Sequence, residues 1–189
     1  MIETLKDHFL NPRNVGDADE PRFTGRAGSF VCGAAARLSI HLDESHNVSE
    51  ARFKAAGCEV LIASLSILTE RVRGKTTTDA ALIGQHSDSL AVKLSVETDK
   101  VHCVQLACDA LVAAIREYSD AARSEWIGDE ALICTCFFVS ERTIEREIRD
   151  KGLTTVSEVT RECNAGGGCG SCQPLIVEIL ESTNVELGT

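Results

Sequence analysis

Hydrophobic and polar positions follow two different rhythms along this 189-residue chain. The stretch "ARLSIHL" alternates, with Leu38, Ile40 and Leu42 on one side and Arg37, Ser39 and His41 on the other, the period of a half-buried strand. "DESHN" then supplies a turn and "VSEARFKAA" a returning strand, while an earlier strand is predicted from Gly25 to Val31. Beyond residue 58 the period lengthens. Val60, Leu61, Ser64, Leu65, Leu68 and Val72 form a helical stripe, and Gly74 stands where such a helix stops. Short helices fit 78–84 and 87–95. A longer one fits Cys103 to Tyr118, with Leu106, Ala107, Ala110, Leu111, Ala114 and Ile115 on its apolar side. An N-terminal helix fits Ile2 to Leu10, where Asn11-Pro12 ends it, and residues 11–22 read as a loop.

"SDAARSEWIGD" reads as a linker, and a second module is expected to start near Asp129. In it, Ser140 is placed to cap a helix over "ERTIEREIRDK" that Gly152 ends. Thr155 to Glu158 has the pattern of a capping box before a short helix. Pro174 suits the first turn of a last helix.

Composition narrows the classes. Hydrophobic residues make up 43% of the chain, enough for a buried core. A net charge of −10 with no basic cluster argues against nucleic acid and anionic membranes as partners. The first residues are too charged for a secretory signal, and no apolar run reaches the roughly 18 residues of a membrane span. A soluble, cytoplasmic protein is expected. Nine cysteines then call for an explanation. The count is odd, and a reducing compartment disfavours disulfides, which leaves metal or cluster ligation as the leading reading. The bland alternative for each cysteine is a small buried hydrophobe.

Four of them fall into two close pairs. Cys134 and Cys136 are separated from Cys169 and Cys172 by 32 residues. Two pairs brought together by a fold make a four-thiolate site, which zinc takes as a tetrahedron and a [2Fe–2S] cluster takes two to each iron. Spacing leaves that choice open. Gly166, Gly167 and Gly168 allow backbone N–H groups to approach anionic sulfur, and Cys172 stands at a helix start that favours thiolate. Cys163 reads as packing. The stretch "ICTCF…TTVSEVTRECNAGGGCGSC" is similar to the bacterioferritin-associated-ferredoxin-like [2Fe–2S] domain found in the middle of NifU, over about 132–182. That resemblance implies a small all-helical domain with a permanent [2Fe–2S] centre on Cys134, Cys136, Cys169 and Cys172.

Cys32, Cys58 and Cys103 stand far apart but each at an element boundary. Cys32 ends a strand, Cys58 opens a helix, and Cys103 opens the long helix with His102 before it. Helix N-termini lower thiol pKa values, so Cys58 and Cys103 are expected to be accessible thiolates, and Cys103, beside His102, the main sulfur acceptor. Three sulfurs and a nitrogen make a credible metal or cluster set. Cys108 shares a helical face with Val104, Leu111 and Ile115 and reads as core. His8, His41, His46 and His86 read as surface residues.

The stretches "DHFLNPRNVG", "FVCGAAARLSI", "ARFKAAGCEVLIASLSILTE", "GKTTTDAAL" and "VHCVQLACDALVAAI" resemble, in order, the NifU/IscU scaffold domain over about 1–120. The resemblance implies an α+β fold with a small antiparallel sheet covered by helices. It also implies a transient [2Fe–2S] cluster, or iron or zinc, on Cys32, Cys58 and Cys103, with His102 as a fourth or transient ligand. Two domains follow, 1–120 and 130–189. The implied function is an iron–sulfur assembly scaffold and not an enzyme. Its partners would be a cysteine desulfurase, apo iron–sulfur proteins and an electron donor, and a homodimer fits the family.

Three departures qualify this. The family's C-G-D is Cys32-Gly33-Ala34 here, which removes a carboxylate linked to cluster release. The family's Leu-Pro-Pro-x-Lys stretch, which a chaperone reads, is replaced by "VETDKVHC". A third, C-terminal C-x-x-C domain has no room before Thr189. The rival functions are an electron carrier or redox sensor with a degenerate scaffold domain, and a zinc-binding structural protein.

Overall fold

The computed structural model describes residues 3–44, 46–125 and 130–187. Its chain divides into two compact units, Met1–Tyr118 and Ser119–Thr189.

The first unit is α+β. Helix α1 (Glu3–Leu10) leads into strands β1 (Arg22–Gly28), β2 (Ala35–Leu42) and β3 (Val48–Ala56), which form one antiparallel sheet in the order β1-β2-β3. In register, Gly25 faces Leu38 and Leu38 faces Phe53. The alternation seen in the sequence sends Leu38, Ile40, Ala51 and Phe53 into the core. Helices α2 (Glu59–Val72), α3 (Thr77–Gln85), α4 (Ser87–Lys93) and α5 (Val101–Glu125) follow, with a 3-10 turn at Thr98–Lys100. Gly25 is where the sheet meets α5 most closely. A Cβ there would lie 2.0 Å from the Ala110 carbonyl oxygen and 2.3 Å from the Ala114 nitrogen, so only a bare Cα fits.

Several boundaries differ from those expected. β1 covers 22–28 rather than 25–31, so Cys32 lies in a loop past the strand end. The polar side of β2 is not left to solvent, because the loop over 11–22 lies across it. Ser39 is buried and accepts the Ala18 N–H at 2.9 Å, while Arg37 pairs with Asp17 and His41 Nδ1 lies 2.7 Å from the Pro21 oxygen. Helix α5 begins at Val101 and continues to Glu125, through most of the stretch read as a linker. Ala121, Ala122 and Arg123 are strong helix formers, and no glycine interrupts before Gly128. Residues 126–129, Ile2 and Ser45 lie outside the described residues.

Three of the four histidines read as surface residues are not fully exposed, and His41 is half-buried. His8 is buried, with Nδ1 2.9 Å from Ser66 Oγ and Nε2 3.7 Å from Glu70. Its helix lies flat on α2, which turns the side chain inward. His46 is half-buried, its Nδ1 2.7 Å from the Tyr118 hydroxyl.

The second unit is mainly helical. A short antiparallel ladder, β4 (Leu132–Cys134) with β5 (Val139–Ser140), precedes α6 (Glu141–Lys151), α7 (Val156–Cys163) and α8 (Gln173–Leu187). This ladder is the one departure from an all-helical module. The caps are those the sequence specifies. Ser140 Oγ accepts the Thr143 N–H, Gly152 closes α6 with φ +63°, and Thr155 with Glu158 forms a reciprocal capping box. Ile144, Ile148, Val159, Ile176 and Leu180 make its core. No helix among the described residues is long and apolar enough to cross a membrane.

Candidate metal centres

In the first unit, three elements bring four side chains to one place. Cys58 is the N-cap of α2, in extended backbone (φ −74°, ψ 170°). His102 and Cys103 lie in the first turn of α5. The Cys58 and Cys103 sulfurs are 3.2 Å apart, and His102 Nε2 lies 3.3 Å from the Cys103 sulfur. Cys32 comes from the loop between β1 and β2. Its N–H points to Ser29 Oγ at 3.5 Å, and Gly33 beside it takes φ +70°. The Ser29 hydroxyl, the Ala34 amide and His102 together lower the Cys32 thiol to about 7.

The expectation for Cys103 fails. It is buried rather than accessible, and its thiol is pushed up to about 12, first by burial and then by the neighbouring Cys58 sulfur. Because the helix starts two residues earlier, Cys103 is drawn under the first turn into the core. Cys32 is the exposed cysteine of this group. Cys108 is fully buried as expected, and burial raises its thiol to about 12.

Of the neighbours that hold this group, sequence reasoning missed Glu59 and singled out Ala34. Glu59, next to Cys58, bonds Lys100 at 2.8 Å and so ties the start of α2 to the 3-10 turn that carries the chain into His102. Ala34, two residues from Cys32, is 5% exposed and packs with the first unit's core. An acidic residue directly after Cys58 was the available signal for the first of these.

In the second unit the four thiols converge from two segments. Cys134 ends β4, Cys136 follows it in a turn, Cys169 sits in the glycine loop, and Cys172 precedes α8. The Cys136 and Cys169 sulfurs are 3.4 Å apart. Cys134 bonds Cys172, whose thiol rises to about 11, first through burial and then through the Cys134 sulfur, against the opposing Gly166 amide. Cys169 is lowered to about 7, first by the Ser171 hydroxyl at 3.0 Å and then by the Ser171 amide. The glycines serve close approach. A Cβ on Gly168 would come 2.8 Å from Cys136 Cβ and 2.9 Å from its sulfur, and one on Gly167 would come 2.9 Å from Thr160 Cγ2. Gly166 takes φ +87°. Four thiols under a cradle of backbone amides, with the Ser171 hydroxyl beside Cys169, are a donor set that fits a [2Fe–2S] cluster. Cys163 stays aside and donates to the Val159 carbonyl at 3.2 Å.

Among the described residues, no three His, Cys, Asp or Glu side chains already stand as a ready metal-holding group. Both sites are close pairs with further thiols beside them.

Both units match known protein families. Residues 132–182 match the BFD-like [2Fe-2S] binding domain. The nitrogen fixation protein NifU of Azospirillum brasilense is 34% identical over 98% of this chain and 61% of its own length. That of Trichormus azollae is 38% identical over 92% of this chain and 60% of its own. The chain thus spans about three fifths of these relatives. The iron-sulfur cluster assembly scaffold protein IscU of Azotobacter vinelandii is 42% identical over 59% of this chain and 88% of its own. The crystal structure of a nitrogen-fixing NifU-like protein (N-terminal) from Brucella abortus superposes with a TM-score of 0.54 at 16% identity, over 64% of this chain and 95% of that one, which speaks for the fold. Residues 2–125 match the NifU-like N terminal domain, and the chain belongs to that family.

Proposed function

We propose that this protein is an iron–sulfur cluster assembly scaffold that builds a transient [2Fe–2S] cluster on its first unit and keeps a resident one in its second. The observation that carries the reading is the gathering of Cys32, Cys58, Cys103 and His102 from three separate elements, with one thiol exposed and activated. A cluster that must leave is better held by side chains that can separate than by one rigid loop.

Cys32 is then the first sulfur acceptor, in place of Cys103. Its thiolate attacks the outer sulfur of a desulfurase persulfide, and the desulfurase thiolate leaves. Reducing that persulfide to sulfide takes two electrons, which requires an electron donor. Cys58 and Cys103, already in contact, close on the incoming iron, and His102 supplies a nitrogen. In the second unit, Cys134, Cys136, Cys169 and Cys172 would hold the resident cluster, which when bound supplies one-electron transfer. The recipients are apo iron–sulfur proteins, the setting is the cytoplasm, and the thiols act as ligands and acceptors rather than as an enzyme's catalysts. A homodimer is the assembly we assign.

Ala34 supports a second reading, an electron carrier whose first unit only docks, because a site without the family's carboxylate gives up metal less readily. Anaerobic purification separates the two. The scaffold carries about two iron and two sulfide per chain as isolated, and about double that after incubation with desulfurase, cysteine and ferrous iron. A count that does not rise supports the carrier, and one zinc in place of iron rejects both.

A further inference from the structure

The thiols of the second unit do not pair in space as they stand in the sequence. Cys136 Sγ and Cys169 Sγ, from opposite segments, are 3.4 Å apart. Cys134 meets Cys172, again across the two segments. Metal–thiolate bonds of about 2.3 Å in a tetrahedron set two sulfurs of one metal about 3.7 Å apart, and sulfurs on the two irons of a [2Fe–2S] core lie well beyond that. The Cys136–Cys169 pair therefore stands at a separation at which two thiolates can share an iron, which leaves Cys134 with Cys172 for the other.

The two pairs also differ in surroundings. Cys134 and Cys172 are 1% and 5% exposed and sit in the core with Ile144 and Ile176. Cys169 is exposed and Cys136 half-buried. Ser171 Oγ lies 3.0 Å from the Cys169 sulfur, and because a ligated thiolate has no proton to give, the hydroxyl is the donor.

We propose, resting on the reading of a resident [2Fe–2S] cluster in this unit, that Cys136 and Cys169 hold one iron and Cys134 and Cys172 the other, and that the electron enters on the Cys136–Cys169 iron, with Ser171 as the residue that tunes it. On reduction that iron passes from ferric to ferrous, the cluster gains one negative charge, and no bond breaks. The added charge is stabilised where solvent reaches the sulfurs and a hydroxyl donates to one of them. At the other iron the Gly166 and Cys172 amides are donors, but the apolar surroundings oppose added charge.

The test replaces each ligand by serine in the full chain and follows the dithionite-reduced protein by electron paramagnetic resonance and redox titration. A serine oxygen disfavours the ferrous state, so substitution at the reducible iron moves the midpoint most. Cys136→Ser and Cys169→Ser are expected to behave alike, with changed g-values and a large shift to more negative potential. Cys134→Ser and Cys172→Ser are expected to form a second group with a small shift. Grouping by sequence neighbours, or a larger shift in the buried pair, overturns the proposal. Should the buried variants fail to fold, Ser171→Ala decides: all four ligands remain, the midpoint moves negative, and Ser171→Thr restores it. An unchanged midpoint in Ser171→Ala overturns the assignment. A natural protein whose spectrum lacks a [2Fe–2S] centre overturns the underlying reading as well, whereas a normal spectrum with the wrong grouping overturns only this inference.

Discussion

The two thiol sites of this chain are built from the same side chain in opposite ways. In the second unit the sulfurs come from two short segments, two of them lie in the core, and glycine backbone closes around them so tightly that a methyl group on Gly168 would strike Cys136. In the first unit the sulfurs come from a loop, a helix cap and a helix turn, and the exposed member belongs to the loop. The contrast teaches that retention is set by the framework around a thiol more than by the thiol. A site whose ligands sit on two segments packed against each other holds them together, while a site spread over three elements can let one ligand go at a time.

The largest effect expected from this contrast is in the colour of the isolated protein. Cys169→Ala should remove most of the visible absorption after anaerobic purification, and Cys58→Ala should leave nearly all of it. Bleaching by Cys58→Ala would reverse the assignment of resident and transient sites.

The comparison can be narrowed at Ala34. Ala34→Asp places an oxygen donor two residues from Cys32, in a pocket where a Cβ on Gly57 would already lie 3.1 Å from the Ala34 Cβ. Delivery of the first-unit cluster to an apo-ferredoxin should become several-fold faster by circular dichroism, at a stability cost of about 1–3 kcal/mol for the buried polar group. An unchanged or slower rate would mean that another residue governs release.

Thiol reactivity tests the comparison within each site. In the metal-free protein, Cys32 and Cys169 are exposed and lowered to about 7, whereas Cys103 and Cys108 are buried and raised to about 12. Iodoacetamide followed by peptide mass spectrometry should label Cys32 and Cys169 several-fold faster than the buried thiols at neutral pH. Because the thiolate is the reactive form, their rates should climb as pH rises through about 7 and then level. Early labelling of Cys103 would restore it as first sulfur acceptor.

The smallest effect separates the units by pH. All five histidines lie in the first unit. Burial lowers the His8 pKa below the ordinary histidine value of 6.5, assisted by Arg13 and opposed by Glu70 and Asp7. The unfolded chain then binds the proton more readily than the folded one, so the stability that His8 contributes is complete above about pH 6.5 and falls as pH drops through the lowered value, by at most about 1.4 kcal/mol for each unit of the shift. Thermal unfolding of the first unit should fall toward pH 5 and flatten in His8→Gln. An equal slope in that variant would place the titration elsewhere.

The sequence made much of the second unit legible because its signals are local. Ser140, Gly152 and the Thr155–Glu158 box act within one helical turn, and the structure uses them as written. In the first unit β2 and α2 were readable from period, while β1 starts three residues before the expected place. What stayed hidden depends on packing between distant segments. The loop that covers Ser39, the inward turn of His8 and the burial of Cys103 each require knowing which surface another element occupies. The two-residue shift in the start of α5 was enough to turn an expected thiolate into a core thiol. The crosswise meeting of Cys136 with Cys169 could not be read from spacing, which places Cys134 beside Cys136.

The central claim is that one unit carries cargo and the other keeps its cluster. It can be tested directly with isotopic iron. The protein is isolated with natural-abundance iron in place, loaded with ⁵⁷Fe by desulfurase and cysteine, and offered to an apo-ferredoxin. Mössbauer spectra of the separated proteins then follow the label. The account predicts that the ⁵⁷Fe moves to the ferredoxin while about two natural-abundance irons remain on this chain. Label that stays on the chain, or natural-abundance iron that appears in the ferredoxin, would contradict it.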